Sequence, residues 1–448
     1  MRAVLTLLVA AVLSTACSSS VADVDASPDS GAIDDSSATG ARILRGPAED
    51  ESTPIDPLDA DALAFEQPET PLPNDSSDGE PEPGVTVDEN PESDPPADSE
   101  STELSRLLDE LIAFVEEERG HEFVTRPQVT MLDGAAFTNE WNATIARSAE
   151  EDADDYENFT DIYRAMGILE GSDSLEEIWM RFGDAGVLGY YDPDRGDIVL
   201  RSDEITAFTK TVLVHELVHA LEDQVFGIDR DEYDERDDEI DWTFSALLEG
   251  SARVIEGRYR ASLTEAERDE ETAVRQALPR TVSSSEFTDS FLELQFGRYR
   301  DGETFAEALW AGGVSQLDGA FADPPATSEA VIDPDVFLLG SAADGAIDAP
   351  VADGTVFESG LWGEAAWAAL FADVFGVAEG RQLADGWGGD QYVAWRTDSE
   401  TCVRIHVEAD NPDALDNYAL ALEEWSRRAA GREVFYPTAE LIRVTSCA

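Results

Sequence analysis

The apolar residues of this chain are unevenly distributed, and this restricts where a hydrophobic core can form. Residues 18–100 consist largely of Ser, Asp, Glu, Pro and Gly with few aromatic side chains. Such a segment buries too little apolar surface to offset its loss of chain entropy, and its like charges repel one another. We therefore expect residues 18–100 to be a disordered acidic linker and residues 101–448 to hold the folded domain.

Beyond residue 101, helical and strand-like periodicities both occur. The pattern predicts long helices at about 203–226 and 238–259, behind a β-hairpin at 186–202. Further helices are predicted within 101–115, 140–168 and 264–312 and at 360–376, a strand at 122–131, and in the tail strands at 391–397, 401–408 and 440–446 with a helix at 411–428. This mixture predicts an α+β fold dominated by helices, with a small mixed sheet. Its core would span 186–260, and a C-terminal strand-strand-helix-strand subdomain would span about 355–448.

The charge of the chain excludes some classes of partner. It carries 98 acidic and 29 basic side chains, a formal charge of -69. Because phosphate binding needs a basic face, nucleic acid is excluded as a partner, and an anionic bilayer surface would repel the folded part. Lys210 is the only lysine. This composition is typical of proteins that stay soluble in a salt-rich exterior, and equally of a high-GC genome combined with an acidic linker.

The amino terminus has the pattern of an export signal. Arg2 precedes an apolar run over residues 3–13, and small residues follow it up to Cys17. This segment resembles a lipoprotein signal over residues 1–17 in which Cys17 is lipidated, although Leu13 lies one place further from the cysteine than usual. We expect an extracytoplasmic protein, anchored to the cell envelope by a lipid on Cys17 or else secreted. No other stretch is long and apolar enough to cross a bilayer.

Two further cysteines, Cys402 and Cys447, lie near the ends of predicted strands. In an exported chain, two remaining cysteines suggest one disulfide, and their spacing is not that of a metal-binding pair.

The segment from His215 to His219 reads His-Glu-Leu-Val-His on a predicted helix. Residues four apart share a helix face, so the two imidazoles can bind one zinc ion. Glu216 lies about 100° further round the helix, where it can reach a water held by the ion and act as general base. The alternative is a pair of histidines capping a buried helix face. With 4 histidines in the chain, a chance match to this pattern is expected in on the order of one chain in a hundred.

A catalytic zinc needs a third protein ligand, with a water in the fourth position. No glycine-separated third histidine follows the motif, so another acid on the next predicted helix is the alternative. Glu249 is an acid in an otherwise apolar and small stretch, Ala246 to Ala252, whose small side chains let that helix approach the first. Glu249 is the expected third ligand, with a surface glutamate as the alternative interpretation. Glu256 is the reserve candidate.

These residues resemble the gluzincin superfamily of zinc metallopeptidases. Gluzincins pair His-Glu-x-x-His on one helix with a glutamate on the next, as His215, Glu216, His219 and Glu249-Gly250-Ser251-Ala252 do here. The chain also resembles exported bacterial and archaeal proteins with a His-Glu-Leu-x-His-Ala-Leu-x-Asp-Gln segment, here 215–224. Their Tyr-Asp-Pro, Pro-Pro and Gly-Trp-Gly-Gly-Asp segments correspond to residues 191–193, 324–329 and 386–390. The resemblance implies a zincin-like catalytic domain that holds one Zn²⁺ per chain and acts on protein or peptide substrates.

The chain departs from the gluzincin pattern at Arg253, where many members carry a supporting aspartate. Asp223, one turn past His219, is a candidate substitute as partner of a zinc histidine. The donor that stabilises the oxyanion is left open among several residues. They are Tyr190, Tyr191, Tyr259, Arg253 and His406. By analogy with the fold, Asp197–Arg201 is a candidate edge strand for an extended peptide.

Two functions are compatible with this sequence. The first is a cell-surface zinc peptide hydrolase with ligands His215, His219 and Glu249 and the base Glu216. The second is a non-catalytic surface lipoprotein that binds a partner or a cell-wall component and keeps zinc only for structure. The intact Glu216 favours the hydrolase, because a structural site has no use for a general base.

Overall fold

A β-hairpin and two long helices form the centre of the fold, as the sequence predicts. The computed structural model describes residues 8–11, 97–230, 233, 236, 238–277, 287–340 and 345–448, with side chains from residue 104 onward except at 184 and 185. Most of the predicted lipoprotein signal, including Cys17, and residues 18–96 of the predicted linker lie outside the described residues.

The central sheet has four strands. They are β1 (Leu8–Ala11), β2 (Gln128–Leu132), β3 (Val187–Asp192) and β4 (Asp197–Arg201). Their order is β1-β3-β4-β2, with β2 parallel to β4 and the other neighbours antiparallel. The sheet is therefore mixed, and β4 is an internal strand. The prediction that Asp197–Arg201 forms an edge was wrong because β2 pairs with its outer side. β2 is also shorter than predicted, since it begins only after Pro127, which has no N–H to donate.

Helices make up most of the described chain. The longer ones are α1 (Ala97–Arg119), α2 (Gly134–Glu151), α3 (Ala153–Met166), α4 (Leu175–Gly186), α5 (Ala207–Phe226), α6 (Ile240–Ser262), α7 (Glu265–Ala277), α8 (Asp289–Ala311) and α9 (Val314–Ala322). Two short helices follow, α10 (Glu329–Ile332) and α11 (Pro334–Leu338). Helix α1 begins four residues before the predicted start, immediately after Pro96. Helix α4 was missed, although Ser174 and Glu177 form a capping box at its start. Within the described residues, no helix meets the length and hydropathy needed to span a bilayer.

The C-terminal part forms a five-stranded antiparallel sheet with helices against it. Its elements are β5 (Thr355–Gly360), α12 (Glu364–Phe375), α13 (Val377–Ala384), β6 (Trp387–Arg396), β7 (Thr401–Ala409), α14 (Pro412–Arg427), β8 (Arg432–Phe435) and β9 (Ile442–Cys447). The order is β5-β6-β7-β9-β8. The predicted strand-strand-helix-strand unit is therefore present with two extra strands, β5 and β8. Cys402 lies opposite Cys447 in the ladder, and the two form a disulfide.

The described chain is an α+β protein with two large hydrophobic cores. One surrounds α5 and α6 and includes residues of α1, β3, β4 and α9. The other joins the C-terminal sheet to helices α2–α4: Val403 and Val444 share it with Trp141 and Phe182. The C-terminal sheet is therefore packed against an earlier part of the chain, and a small third cluster of Val393, Trp395 and Cys402 lies within the sheet itself.

Asp390, at the end of the Gly386–Asp390 segment, joins β6 to the start of α12. Its fully buried carboxylate accepts hydrogen bonds from the backbone N–H groups of Trp362 (2.7 Å) and Gly363 (3.0 Å). It also accepts from the indole N–H groups of Trp367 (2.8 Å) and Trp387 (2.9 Å). These tryptophans are core residues, and the carboxylate satisfies donors that would otherwise be buried without an acceptor.

We expect Asp390→Ala to lower the free energy of unfolding by about 3 kcal/mol or more, because it leaves four buried donors without their acceptor. Urea denaturation followed by tryptophan fluorescence measures this. The matched control is Asp398→Ala, whose exposed side chain lies in the turn between β6 and β7; a change within about 0.5 kcal/mol is expected there. Equal effects in the two variants would contradict the role assigned to Asp390.

Candidate metal centre

Helix α5 carries the His-Glu-Leu-Val-His segment through the middle of the protein. It begins where Thr206 Oγ1 accepts a hydrogen bond from the Thr209 N–H at 3.1 Å, and it ends at Gly227, whose φ is 68°. Lys210, the only lysine, lies in the first part of this helix and is partly buried. His215, Glu216 and His219 are 1%, 0% and 0% exposed. Ionisable side chains on a buried helix are tolerated in the core only if other polar groups form hydrogen bonds or ion pairs with them.

Those groups come from α6, which packs against α5. Glu249 Oε2 lies 3.1 Å from His215 Nε2 and 3.6 Å from His219 Nε2. Two ligands on a tetrahedral zinc at about 2.0–2.1 Å are about 3.3 Å apart. The two observed distances lie on either side of this value. His215, His219 and Glu249 are thus brought together as the sequence predicts, in a cluster able to hold a metal ion.

The donor set fits zinc for a second reason. His219 Nε2 is buried and has no hydrogen-bond partner among the residues that the structure describes. A buried ring nitrogen of this kind is rare in a folded protein unless a water or an ion completes it. Two imidazole nitrogens and a carboxylate oxygen are ligands that zinc takes readily, with one position left for water.

The electrostatics of the centre also suit a divalent cation. Burial alone would lower the pKa of His215, but its hydrogen bond to Glu249 and its contact with Glu256 outweigh burial and raise the pKa to about 10. Burial would likewise raise the pKa of Glu249, whereas His215 and His219 lower it to about 2. The carboxylates therefore favour the charged form of His215, and a metal ion bound here would displace its proton.

Glu256, the reserve candidate for third ligand, has a different position. Its Oε2 lies 3.3 Å from His215 Nδ1, on the side of the ring away from Glu249. Arg253 Nη1 donates to the same oxygen at 2.9 Å, and Arg275 Nη2 lies 3.6 Å from Oε1. Arg253 stands at the position where a supporting carboxylate was expected. It donates instead to the carboxylate of Glu256, one turn further along α6. The second nitrogen of a metal-binding imidazole commonly requires such an acceptor.

Asp223 is not a partner of His215 or His219, so that prediction was wrong. Its Oδ2 accepts a hydrogen bond from Tyr191 Oη at 2.6 Å, and its Oδ1 accepts from the Ile228 N–H at 3.1 Å. This pairing joins β3 to the end of α5. It fixes the hairpin against the helix and leaves Tyr191 engaged away from the centre.

The other predicted oxyanion donors also lie elsewhere. Tyr190 packs between Phe137 and Trp141 in the core, and Tyr259 packs edge-on against Phe114. His406 Nδ1 contacts the Asp348 carbonyl in the C-terminal sheet. Of the candidates, Arg253 alone is near the centre, and it acts there through Glu256.

Sequence reasoning missed Tyr299, on α8. It forms a side-chain hydrogen bond with Glu249, and its hydroxyl interacts electrostatically with Glu216. Helical periodicity does not indicate which face of a distant helix will meet α6. The available signal was Gly302, a glycine in the interior of a helix, which marks a close approach of another backbone.

A buried ionic group supports the crossing of α5 and α6. Arg119 Nε donates to Glu222 Oε1 at 2.8 Å, and Arg119 Nη1 donates to Asp318 at 2.6 Å. Ser251 Oγ, on α6, donates to the same Glu222 oxygen. The group links α1, α5, α6 and α9 one turn beyond His219. It thereby holds the two ligand-bearing helices together.

Comparisons of the chain with protein-family models, with curated proteins and with solved structures found no match. The resemblance to gluzincins therefore rests on the residues of the centre themselves.

We expect the purified protein to hold one zinc ion per chain. Replacing the ligand Glu249 should lower zinc affinity more than replacing Glu256, which contacts the ligand His215. Glu249→Ala should weaken zinc binding by more than about 100-fold, and Glu256→Ala by about 10–100-fold, because the latter removes only the partner of His215. Competition with a chromophoric chelator measures both affinities. Glu270→Ala, on the exposed side of α7, is the control. A larger loss in the Glu256 variant would reverse the two assignments.

Proposed function

We propose that this protein is a gluzincin-type zinc metallopeptidase. The observation that carries the proposal is the convergence of His215, His219 and Glu249 around one point, with Glu216 between the two histidines in sequence and fully buried. Three protein ligands leave one coordination position for water, which is the arrangement of catalytic and not of structural zinc sites. A carboxylate beside such a site can act as general base.

The roles follow from the positions of the residues. A zinc ion held by His215, His219 and Glu249 would supply Lewis-acid polarisation of a peptide carbonyl and would lower the pKa of a water. Glu216 takes the proton of the attacking water and delivers it to the leaving amide nitrogen, so that the C–N bond breaks with no net gain or loss of protons. Glu256 and Arg253 fix the ring of His215 from behind. The surrounding apolar core excludes bulk water and strengthens these interactions.

An extended peptide would reach the centre along β3. One side of β3 pairs with β4, and the other pairs with β1, which also contacts α5 and α6. Residues 8–11 belong to the predicted export signal, and processing at Cys17 would remove them. The N–H and C=O groups on that side of β3 would then be available for an extended substrate, next to the helices that carry the ligands.

The proposed location is the outside of the cell membrane. The predicted signal would export the chain, a lipid on Cys17 would anchor it, and the acidic segment 18–96 would separate the catalytic domain from the bilayer. The Cys402–Cys447 disulfide suits an oxidising compartment. Protein or peptide in the cell exterior is the corresponding substrate.

Glu216→Gln should reduce peptide hydrolysis by about 10²–10⁴-fold, because the amide cannot accept the proton of the attacking water. The variant should bind zinc with nearly wild-type affinity. Cleavage of a fluorogenic peptide library by the zinc-loaded protein, processed at Cys17, measures the first quantity, and metal analysis measures the second.

The control for this experiment is Glu204→Gln, an exposed residue just before α5. Chelation should abolish hydrolysis and added zinc should restore it. Suppose that the wild type binds zinc but cleaves no peptide in the library, and that Glu216→Gln changes neither property. The protein is then a non-catalytic lipoprotein with a structural zinc.

A further inference from the structure

Helices α6 and α8 cross with their backbones in direct contact. A Cβ added to Gly250 would lie 1.9 Å from the Gly302 carbonyl oxygen, and one added to Gly302 would lie 1.9 Å from the Ala246 carbonyl oxygen. Neither position can carry a side chain without separating the helices. Glu249 is adjacent to Gly250, and Tyr299 lies one turn before Gly302. The crossing therefore brings these two side chains together.

The contact between them involves the metal ligand directly. The Tyr299 hydroxyl donates to the carboxylate of Glu249, whose Oε2 faces both histidines. Arg298, the residue before Tyr299, adds positive charge near the same carboxylate and donates to Ser245 Oγ at 3.3 Å. A carboxylate can rotate about its last side-chain bond, and a fixed donor restricts that rotation.

We propose that Tyr299 is a positioning residue for Glu249, and that its hydroxyl holds the carboxylate in the orientation that presents Oε2 to the metal. The proposal rests on the metal centre proposed above, and it assigns to α8 a role in that centre that the sequence motif does not indicate. Metal ligands in proteins commonly depend on such partners, and loss of one typically costs 10–100-fold in metal affinity.

A purely structural role for Tyr299 makes a different prediction. If the hydroxyl only satisfies a buried carboxylate, its removal lowers the free energy of unfolding of the metal-free protein and leaves the intrinsic zinc affinity unchanged. If it positions the ligand, the zinc affinity falls. Metal affinity therefore separates the two roles.

The experiment uses Tyr299→Phe in the full chain, which keeps the ring and removes the donor. We expect zinc affinity, measured by competition with a chromophoric chelator, to fall about 10–100-fold. Tyr259→Phe is the matched control, because Tyr259 lies on α6 like Glu249 but packs against Phe114. Wild-type affinity in Tyr299→Phe, or an equal loss in Tyr259→Phe, would overturn the proposal.

A second comparison tests whether the effect passes through Glu249. In a Glu249→Ala background, adding Tyr299→Phe should change zinc affinity by less than about twofold, because the carboxylate that the hydroxyl would position is already absent. This background also removes the buried charge, so the comparison holds even if Tyr299→Phe alone folds poorly. A further tenfold loss in the double variant would overturn the proposal.

The readout is binding and not turnover, which keeps this proposal distinct from the proposed function. A wild-type protein that binds zinc without cleaving peptides would overturn the hydrolase and leave the role of Tyr299 to be decided by affinity. A wild-type protein that binds no zinc would overturn both.

Discussion

The burial of two imidazoles and their carboxylate partners between α5 and α6 is the constraint on which the rest of the structure depends. Charged groups in an apolar core are costly unless they meet each other at short range. Here Glu249 meets both histidines, and Glu256 meets His215 from the opposite side while two arginines hold it. A divalent cation would complete this arrangement. The tight packing of the surrounding helices is what keeps water from replacing these contacts.

Much of the fold and of the site could be predicted because the information is local. The period of apolar residues gives the hairpin and the two long helices, and the four-residue spacing of the histidines gives their common face. Glu249 was identified by its contrast with small neighbours. The role of Glu256, by contrast, depends on which turn of α6 faces the back of His215, and this is set by the crossing geometry. The missed Tyr299 lies on a helix that no sequence period relates to α6.

The unexpected Arg253 illustrates how the same physical requirement can be met in a different way. A supporting carboxylate is needed behind a metal-binding imidazole, and the position expected to supply it carries a cation instead. The carboxylate is Glu256, three residues further on, and Arg253 donates to it at 2.9 Å. One helical turn separates the two positions, so the support reaches the same ring from a neighbouring point on the helix. A single departure from a motif therefore does not show that a supporting residue is absent, because a residue one helical turn away can supply the same contact.

Lys210 has a practical consequence for work on this protein. In a chain with one lysine, amine-directed reagents have one side chain to modify, and it lies on α5, the helix that carries His215 and His219. His215 lies five positions after Lys210, about 7.5 Å along the helix axis at 1.5 Å per residue. A fluorophore attached there without any engineered cysteine would leave the native disulfide intact. It would sit close enough to the centre for Co²⁺ or Cu²⁺, used in place of the d¹⁰ ion Zn²⁺, to report binding by quenching.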